Sequence, residues 1–188
     1  ILSSNGSSND SQELAATATA SVEATAAAVN DAVAIRRKYD VQPEFVLSEG
    51  AQYEAIIELE KGGEIRIALF ADESPNYVNN FIFLSRNRFY EGLTFHRVIA
   101  TFVAQGGDPT GTGMTGSGYF LSEETNDIHL NREGLISMAK SSFGISGSQF
   151  FITLGPTPWL TGEFTVFGEV VDGMDVAQAL TVREPGKS

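Results

Sequence analysis

Residues 148–152 (SQFFI) have the apolar character of a buried strand, except that they include a polar glutamine beside the aromatic residues. Side chains alternate between the two faces of a β-strand, so Gln149 and Phe151 share one face of this segment. Phe150 and Ile152 share the other face and are typical of a buried core. A glutamine beside an aromatic ring is typical of a shallow binding pocket with an apolar floor and a hydrogen-bonding wall.

A second polar pair lies nearer the middle of the chain. Val103 and Gln105 share a face for the same reason, and Arg97 belongs to a neighbouring strand-like segment that is otherwise rich in apolar residues. An outward-facing sheet with ordinary solvated polar groups would show the same alternation. Alternation alone therefore favours neither a pocket nor a solvated face.

Residues 111–116 (GTGMTG) match the three-glycine fingerprint of dinucleotide-binding folds. That fingerprint needs a strand before it and a helix after it. Here Asp108 and Pro109 precede it and residues 118–120 (GYF) follow it, so neither neighbour fits. We interpret the stretch as a flexible loop and predict no nucleotide cofactor.

The residue types give little support to metal or covalent chemistry. His96 and His129 are the two histidines, and no spacing joins both of them to a carboxylate in a zinc triad. Ser146 and Ser148 lie outside a Gly-x-Ser-x-Gly elbow, and the chain has no cysteine. We predict no metal and no cofactor, while a hydrolase triad that uses one of the histidines stays open.

Composition limits both the partners and the number of domains. The 24 acidic and 12 basic residues give a formal net charge of -12, and the longest basic run is residues 36–38. Nucleic acid and anionic membrane surfaces are therefore not expected as partners. With 188 residues and 42% hydrophobic content, the chain can bury one core, so one domain with an appendage is expected.

The composition also divides the chain into three parts. Residues 1–12 are rich in serine, asparagine and glycine and are predicted to be a flexible linker or tether. Residues 13–43 are predicted to form a helical arm and a connector, because apolar side chains recur there at helical spacings. This apolar stripe favours packing, and self-association through the arm is one hypothesis. Residues 44–188 are predicted to be the functional domain.

Short strands separated by turns are predicted throughout this domain. Residues 53–59 and 64–69 predict a β-hairpin, and Ser74 is the expected N-cap of a helix from Pro75 to about Arg86. The buried face of that helix is expected to carry Val78, Phe81, Ile82 and Ser85. Further elements are predicted at 94–99, 103–105, 136–139, 149–153 and 165–171 (strands) and at 174–180 (helix). Many strands with two helices predict a mainly β fold, a closed or nearly closed antiparallel β-barrel.

Residues 95–108 (FHRVIATFVAQGGD) resemble the signature of the cyclophilins, with its FHR and QGGD elements. The resemblance continues in the order and spacing of the family, from about Tyr53 to Leu180. Its loop between Gly107 and Gly113 is similar to that of short bacterial cyclophilins. The further motifs are 135–139 (LISMA), 147–152 (GSQFFI), 159–162 (WLTG) and 166–168 (VFG).

The resemblance implies a barrel of about eight strands closed by two helices, with a groove that binds an Xaa-Pro segment. It implies a peptidyl-prolyl cis/trans isomerase in which Arg97 is catalytic by position and Gln105 orients its guanidinium. The residues implied to bind substrate are Phe102, Val103, Ala139, Lys140, Gln149, Phe151, Trp159, Leu160 and Phe164. Of these, the proline pocket comprises Phe102, Val103, Phe151 and Leu160, and the flanking peptide backbone is held by Ala139, Lys140 and Gln105. Trp159 also implies cyclosporin as an inhibitor.

A guanidinium suits this reaction physically. Amide resonance opposes rotation by about 20 kcal/mol, and a donor to the proline nitrogen acts only as that resonance is lost. The reaction needs no proton transfer, nucleophile, metal or cofactor. The expected partners are proline-containing peptides and unfolded proteins, and the alternative is a non-catalytic proline-peptide-binding module or chaperone that uses the same groove.

The chain departs from the family at three site positions and near its end. Lys140, Val103 and Phe164 stand where many members carry asparagine, methionine and histidine, so rate and peptide preference are expected to differ while activity survives. The family's last strand is expected either to be missing or to be replaced by residues 45–47. The absence of an initial methionine and the linker-like residues 1–12 favour an extracytoplasmic, tethered protein.

Overall fold

The computed structural model of the chain describes residues 38–184. The predicted linker at 1–12 and most of the predicted arm at 13–43 lie outside the described residues. Residues 38–43, the end of the predicted connector, contain no helix or strand. Among residues 38–184, no helix is long and apolar enough to cross a membrane.

Within this described part the chain forms eight β-strands, two α-helices and one 3-10 turn. The strands are β1 (Tyr53–Glu58), β2 (Glu64–Leu69), β3 (Arg97–Ile99), β4 (Val103–Gly106), β5 (Phe120–Leu121), β6 (Leu135–Ser141), β7 (Gly144–Thr153) and β8 (Val166–Asp172). The helices are α1 (Pro75–Arg86) and α2 (Met174–Gln178), and the turn spans Pro158–Leu160.

All eight strands join one antiparallel sheet. Its order is β1-β2-β8-β6-β7-β4-β3, and β5 pairs with β7 outside this path. The prediction of a mainly β fold with eight antiparallel strands and two helices is confirmed. Strand β7 pairs with β4, β5 and β6, so it connects the parts of the sheet that carry the polar side chains singled out above.

The main core lies between the sheet and α1. Strand β2 sends Ile65, Ile67 and Leu69 inward at alternate positions, and α1 adds Tyr77, Val78, Phe81, Ile82 and Leu84. Ser85, predicted for the buried face of α1, is instead exposed, and its hydroxyl donates to the carbonyl of Phe81 (2.7 Å). A second cluster lies apart from this core and consists of Leu130, Leu135 and Val166, with Leu160 and Phe164 packed against it.

The first turn of α1 is capped by a residue distant in sequence. Ser74 occupies the N-cap position as predicted, but its hydroxyl donates to the carbonyl of Val166 (2.9 Å) rather than capping the helix. The carboxylate of Glu124 takes that place, because it accepts the backbone N–H groups of Asn76 (3.1 Å) and Tyr77 (3.0 Å). A carboxylate is favoured at this end of a helix, where unpaired N–H groups carry partial positive charge.

The edge of β3 is covered by the last described residues of the chain. Val98 and Arg183 exchange two backbone hydrogen bonds, with N to O distances of 2.7 and 2.9 Å. Residues 45–47, the expected replacement for a last strand, belong to no strand, so that expectation is wrong. The edge that they were expected to fill already has a partner in this pairing.

Residues 38–47, which we call the strap, run along α1 instead. At one end, the N–H of Tyr39 donates to the carbonyl of Ser117 (2.7 Å), and the Tyr39 ring packs edge-on against Phe83 (5.2 Å between centroids). At the other end, a strap N–H donates to Asn79 Oδ1 (2.8 Å), and Asn79 donates to a strap carbonyl (3.0 Å). The buried amide of Asn79 thus has both of its partners in the strap, which fixes the path of these residues.

Candidate active site

Three strands bring the candidate polar and aromatic residues into one row. Arg97 on β3 lies opposite Gln105 on β4, and Gln105 lies opposite Phe151 on β7. Residues opposite one another in an antiparallel pair project to the same face, so these three side chains share a face of the sheet. The adjacent pair, Ala104 on β4 and Ile152 on β7, projects to the other face and lies in the core, as alternation predicts.

The guanidinium of Arg97 lies over an aromatic ring. Its central carbon is 5.6 Å from the centroid of Phe102, a distance at which a cation is attracted to the ring face. Phe102 also stacks with Trp159, at 6.1 Å between centroids and 23° between planes. Trp159 is 65% exposed and belongs to the 3-10 turn, so this stack forms an open apolar ledge beside Arg97.

Phe151 forms the floor next to this ledge. Its ring packs edge-to-face with Phe164, at 5.3 Å between centroids and 84° between planes. Val103, one strand away, is buried, whereas Leu160 and Phe164 are half-buried and rest on the second apolar cluster. The floor therefore has its own apolar support, separate from the main core.

Two glutamines form a hydrogen-bonded wall at the other side of Phe151. Gln105 Nε2 donates to Gln149 Oε1 (2.9 Å), and Gln149 Nε2 donates to the carbonyls of Gly113 (3.0 Å) and Thr115 (2.5 Å). Gln149 is 6% exposed, so its side-chain amide is fixed by these partners rather than by water. Its orientation in turn fixes the amide of Gln105, opposite Arg97.

Ala139 and Lys140 lie one strand further along, on β6. Ala139 is half-buried at an irregular point of the ladder with β7. The Lys140 ammonium lies 3.7 Å from Glu123 Oε1, in an exposed ion pair that contributes little energy. The hydrogen bonds and ring contacts of the described residues do not join either side chain to the row of Arg97, Gln105 and Phe151.

The loop after β4 is held by a buried carboxylate that the sequence did not single out. Asp108 accepts hydrogen bonds from the N–H of Thr110 (2.8 Å) and from the hydroxyls of Thr110 (2.9 Å) and Thr115. The predicted loop at 111–116 is thus joined by hydrogen bonds to Asp108 and to Gln149. An aspartate followed closely by several threonines is a local signal for such a turn.

Asp108 and His96 are the buried titratable groups next to the site. Burial acts to raise the pKa of Asp108, but the hydrogen bonds from Thr115 and Thr110 outweigh it and hold the pKa below its ordinary value. Burial lowers the pKa of His96; Asp108 opposes this effect, while Arg183 and Arg97 add to it. His96 is 1% exposed, and neither of its ring nitrogens has a hydrogen-bond partner among the described residues.

We expect the stability of the protein to fall on mild acidification because of His96. Its folded-state pKa is depressed, so below about pH 6.5 the unfolded chain binds a proton that the folded chain does not. The contribution of neutral His96 to the free energy of unfolding is complete above that pH, and it is lost as the pH falls toward the lowered pKa of His96. Asp108 adds a similar loss only at lower pH, below its own ordinary pKa. Thermal unfolding between about pH 7.5 and 5 measures the slope.

A His96→Leu variant isolates this effect. Leucine fills the apolar site without a titratable group, so the dependence of its unfolding midpoint on pH should be shallower than that of the native chain. His129→Leu, at an exposed position, is the matched control for the loss of an imidazole from the chain. Equal slopes in the native chain and His96→Leu would rule out His96 as the cause.

No group of three histidine, aspartate or glutamate side chains within residues 38–184 comes together in a way that could hold a metal ion. The described site thus consists of an arginine above an aromatic ledge, an apolar floor and a glutamine wall. These features define a mainly β protein that carries an arginine and a set of aromatic side chains on one face of its sheet.

A family model for the cyclophilin type peptidyl-prolyl cis-trans isomerase/CLD matches residues 55–187, and the chain belongs to this family of enzymes. It is 45% identical over 122 residues to peptidyl-prolyl cis-trans isomerase ppi1 of Schizosaccharomyces pombe, covering 63% of this chain and 79% of that protein. It is also 45% identical over 124 residues to peptidyl-prolyl cis-trans isomerase B of Bacillus subtilis, covering 65% and 87%. The predictions of the family and of its enzyme class are confirmed.

Solved structures agree with the fold. A crystal structure of a cyclophilin type peptidyl-prolyl cis-trans isomerase of Cryptosporidium parvum has a TM-score of 0.65 and 32% identity, covering 72% of this chain and 89% of that one. A second structure of that protein, determined in the presence of the dipeptide Ala-Pro, has a TM-score of 0.65 and 33% identity. The predicted likeness to short bacterial members in particular stays a prediction, since relatives of similar identity come from fungi and from Bacillus.

Proposed function

We propose that this chain isomerises Xaa-Pro peptide bonds in the groove formed by Arg97, the Phe102 ledge and the Phe151 floor. The observation that carries the proposal is the row of Arg97, Gln105 and Phe151 across three adjacent strands. This row puts a guanidinium within reach of a peptide whose proline ring rests on the floor. The presence of Ala-Pro with the Cryptosporidium parvum relative supports a proline-containing substrate class.

In the proposed reaction no covalent bond is made or broken. The barrier of about 20 kcal/mol is the loss of amide resonance, and the proline nitrogen gains a free lone pair only when the peptide plane is twisted. Arg97 donates an N–H to that nitrogen in the transition state. The interaction is weak in both planar ground states, so it lowers the barrier rather than merely tightening binding.

Gln105 is proposed to orient the guanidinium. One N–H of its side-chain amide donates to Gln149 Oε1, and its carbonyl oxygen is assigned as the acceptor for the opposite residue, Arg97. An acceptor at this position favours one rotamer of the arginine over the many that a long side chain can adopt. Less conformational entropy is then lost when the twisted amide is bound.

The proline ring is proposed to bind against Phe102, Val103, Phe151, Leu160 and Phe164. The flanking peptide backbone is assigned to Ala139, Lys140 and Gln105, with Gln149 and Trp159 at the two sides of the groove. Cyclosporin is proposed as an inhibitor on the position of Trp159, and displacement of a bound proline peptide by cyclosporin checks this. The proposed natural partners are unfolded proteins with exposed Xaa-Pro segments.

Exchange spectroscopy by NMR on an Ala-Pro peptide tests the proposal. Cross peaks between cis and trans signals should appear with a catalytic amount of the protein and be absent without it, because uncatalysed exchange takes tens of seconds. The fluorescence of the single tryptophan, Trp159, reports binding separately. Binding without accelerated exchange would contradict the enzyme and support the non-catalytic module instead.

Phe164→His is expected to change kcat/KM by less than about tenfold and to make it depend on pH near 6.5. Phe164 is half-buried and meets Phe151 edge-on, so a smaller polar ring fits the same place without opening the core. The charged form of the new histidine would weaken the apolar pocket. The pH profile of kcat/KM between about pH 5.5 and 8 measures the effect. A variant with a profile parallel to the native one would show that Phe164 does not line the pocket.

A further inference from the structure

Strand β7 is irregular where it passes the glutamine wall. In the ladder with β6, Met138 pairs with Phe150 and Lys140 pairs with Ile145. One residue of β6, Ala139, therefore lies opposite residues 146–149 of β7, which we call the β7 bulge. Residues of a bulge lose their regular ladder partners, so their backbone groups must find other ones.

Side chains from other elements supply those partners. The carbonyl of Gly147 accepts from Asn80 Nδ2 (2.7 Å), and the carbonyl of Ser148 accepts from the hydroxyl of Tyr90 (3.2 Å). Within the bulge, Ser146 Oγ accepts the N–H of Gln149 (2.9 Å). Ser146 still pairs with Phe120 of β5, whereas the carbonyls of Gly147 and Ser148 depend on these side-chain contacts.

Asn80 is the most constrained of these partners. It lies on α1, is 1% exposed, and its Oδ1 accepts from the hydroxyl of Tyr119 (2.5 Å). Its amide is therefore oriented by one bond on each side. Burial raises the pKa of Tyr119 to about 12, so this hydroxyl stays a donor at neutral pH.

The bulge ends at the residue that builds the glutamine wall. The side-chain oxygen of Gln149 accepts a hydrogen bond from Gln105 Nε2, and Gln105 lies opposite Arg97 in the sheet. A shift of the Gly147 carbonyl would move the backbone of Gln149 two residues on, and a misplacement of about 1 Å at a catalytic site can cost roughly 10²-fold in rate. Hydrogen bonds and two peptide units thus link α1 to Gln105, which lies opposite Arg97 in the sheet.

We propose that Asn80 is a positioning residue for isomerisation, which holds the β7 bulge so that Gln149 and Gln105 orient Arg97. This inference rests on the proposed function for its kinetic consequence. The structural part, the dependence of the two glutamine amides on Asn80, does not rest on it.

The neighbouring Asn79 provides a matched control. It lies on the same helix, is 3% exposed, and makes two side-chain hydrogen bonds, but both go to the strap and neither to the bulge. Alanine at either position removes the same atoms from the same helix and takes a side-chain partner away from the backbone of another segment. A loss of activity caused by instability alone would appear in both variants.

The experiment compares Asn80→Ala with Asn79→Ala, well below both unfolding midpoints. Asn80→Ala is expected to lower kcat for an Ala-Pro peptide by roughly 10- to 100-fold and to change the peptide Kd by a smaller factor, whereas Asn79→Ala should lower kcat by less than about twofold. The side-chain NH2 resonances of Gln105 and Gln149 should shift in Asn80→Ala alone. Tyr119→Phe, a milder change that leaves Asn80 in place, is expected to give a smaller loss of the same kind.

Two outcomes would overturn the inference. One is native kcat and native glutamine resonances in Asn80→Ala, or in Tyr119→Phe if the first variant does not fold. The other is an equal loss of kcat in Asn80→Ala and Asn79→Ala, which would mean that reduced stability causes the loss in both variants. Should the native chain itself lack activity, the proposed function fails, whereas the shifts of the two glutamine resonances still decide whether Asn80 positions the wall.

Discussion

Arg97→Ala is expected to lower kcat/KM for an Ala-Pro peptide by roughly 10²- to 10³-fold, the usual loss when one donor to a transition state is removed. The guanidinium is placed over Phe102 and opposite Gln105, so it contributes little to the packing of the domain. Peptide Kd should change by less than about threefold, because the interaction with the proline nitrogen is absent in the planar ground states. NMR exchange rates give the kinetic value, and Trp159 fluorescence gives the Kd.

Two further variants define the origin of the loss. Arg97→Lys keeps the charge but not the planar group of donors, and most of the loss should remain, roughly 10- to 100-fold. Arg66→Ala is the control, because Arg66 is a half-exposed arginine on β2 whose ion pair is with Glu54 (2.9 Å). It should leave kcat/KM at the native value. A native rate in Arg97→Ala would remove the arginine from the mechanism altogether.

Gly107→Ala is expected to lower the free energy of unfolding by about 2–5 kcal/mol. Gly107 has a φ of +86°, and a Cβ built there would lie 2.2 Å from the carbonyl oxygen of Ser148 in the β7 bulge. The carbonyl of Gly107 also accepts the hydroxyl of Ser148 (2.8 Å), so loop and bulge cannot separate without losing that bond. Urea unfolding measures the change, and kcat/KM should fall with it because the bulge carries Gln149.

Gly92→Ala distinguishes the two causes of this effect. Gly92 has a φ of +68° but no atom within 4 Å of the position of a Cβ. It should therefore show only the backbone penalty of a left-handed residue, about 1–2 kcal/mol. If both substitutions lower the free energy of unfolding equally, the close approach of Gly107 to Ser148 does not contribute to the effect, and the bulge can move to make room for the Cβ.

The elements of this fold were predictable where the signals are local. Proline at the first helical position fixed the start of α1 at Pro75, and strict alternation placed Ile152 in the core with Phe151 on the opposite face. Such signals need only the chain's own periodicity and turn chemistry. The signature at 95–108 then supplied the family.

Contacts between distant parts of the chain were not predictable in this way. The hydrogen bond from Asn80 to the Gly147 carbonyl joins residues that are 67 positions apart in the sequence. Glu124 caps helix α1, which begins 49 positions earlier at Pro75. Nothing in the neighbourhood of Asn80 distinguishes it from Asn79, although the two bind different segments. The row from Arg97 to Phe151 likewise depends on which strands pair, and alternation gives only the face of each residue.

The strap extends the packed part of the described chain beyond the residues of the family match. The family match starts at residue 55, yet the strap covers the ring of Phe83 and provides both partners of the buried Asn79 amide. A fragment that begins at residue 55 would expose that ring and remove both partners of the Asn79 amide, on the helix that also carries Asn80. Any fusion or transplant of the domain should therefore carry the strap with it.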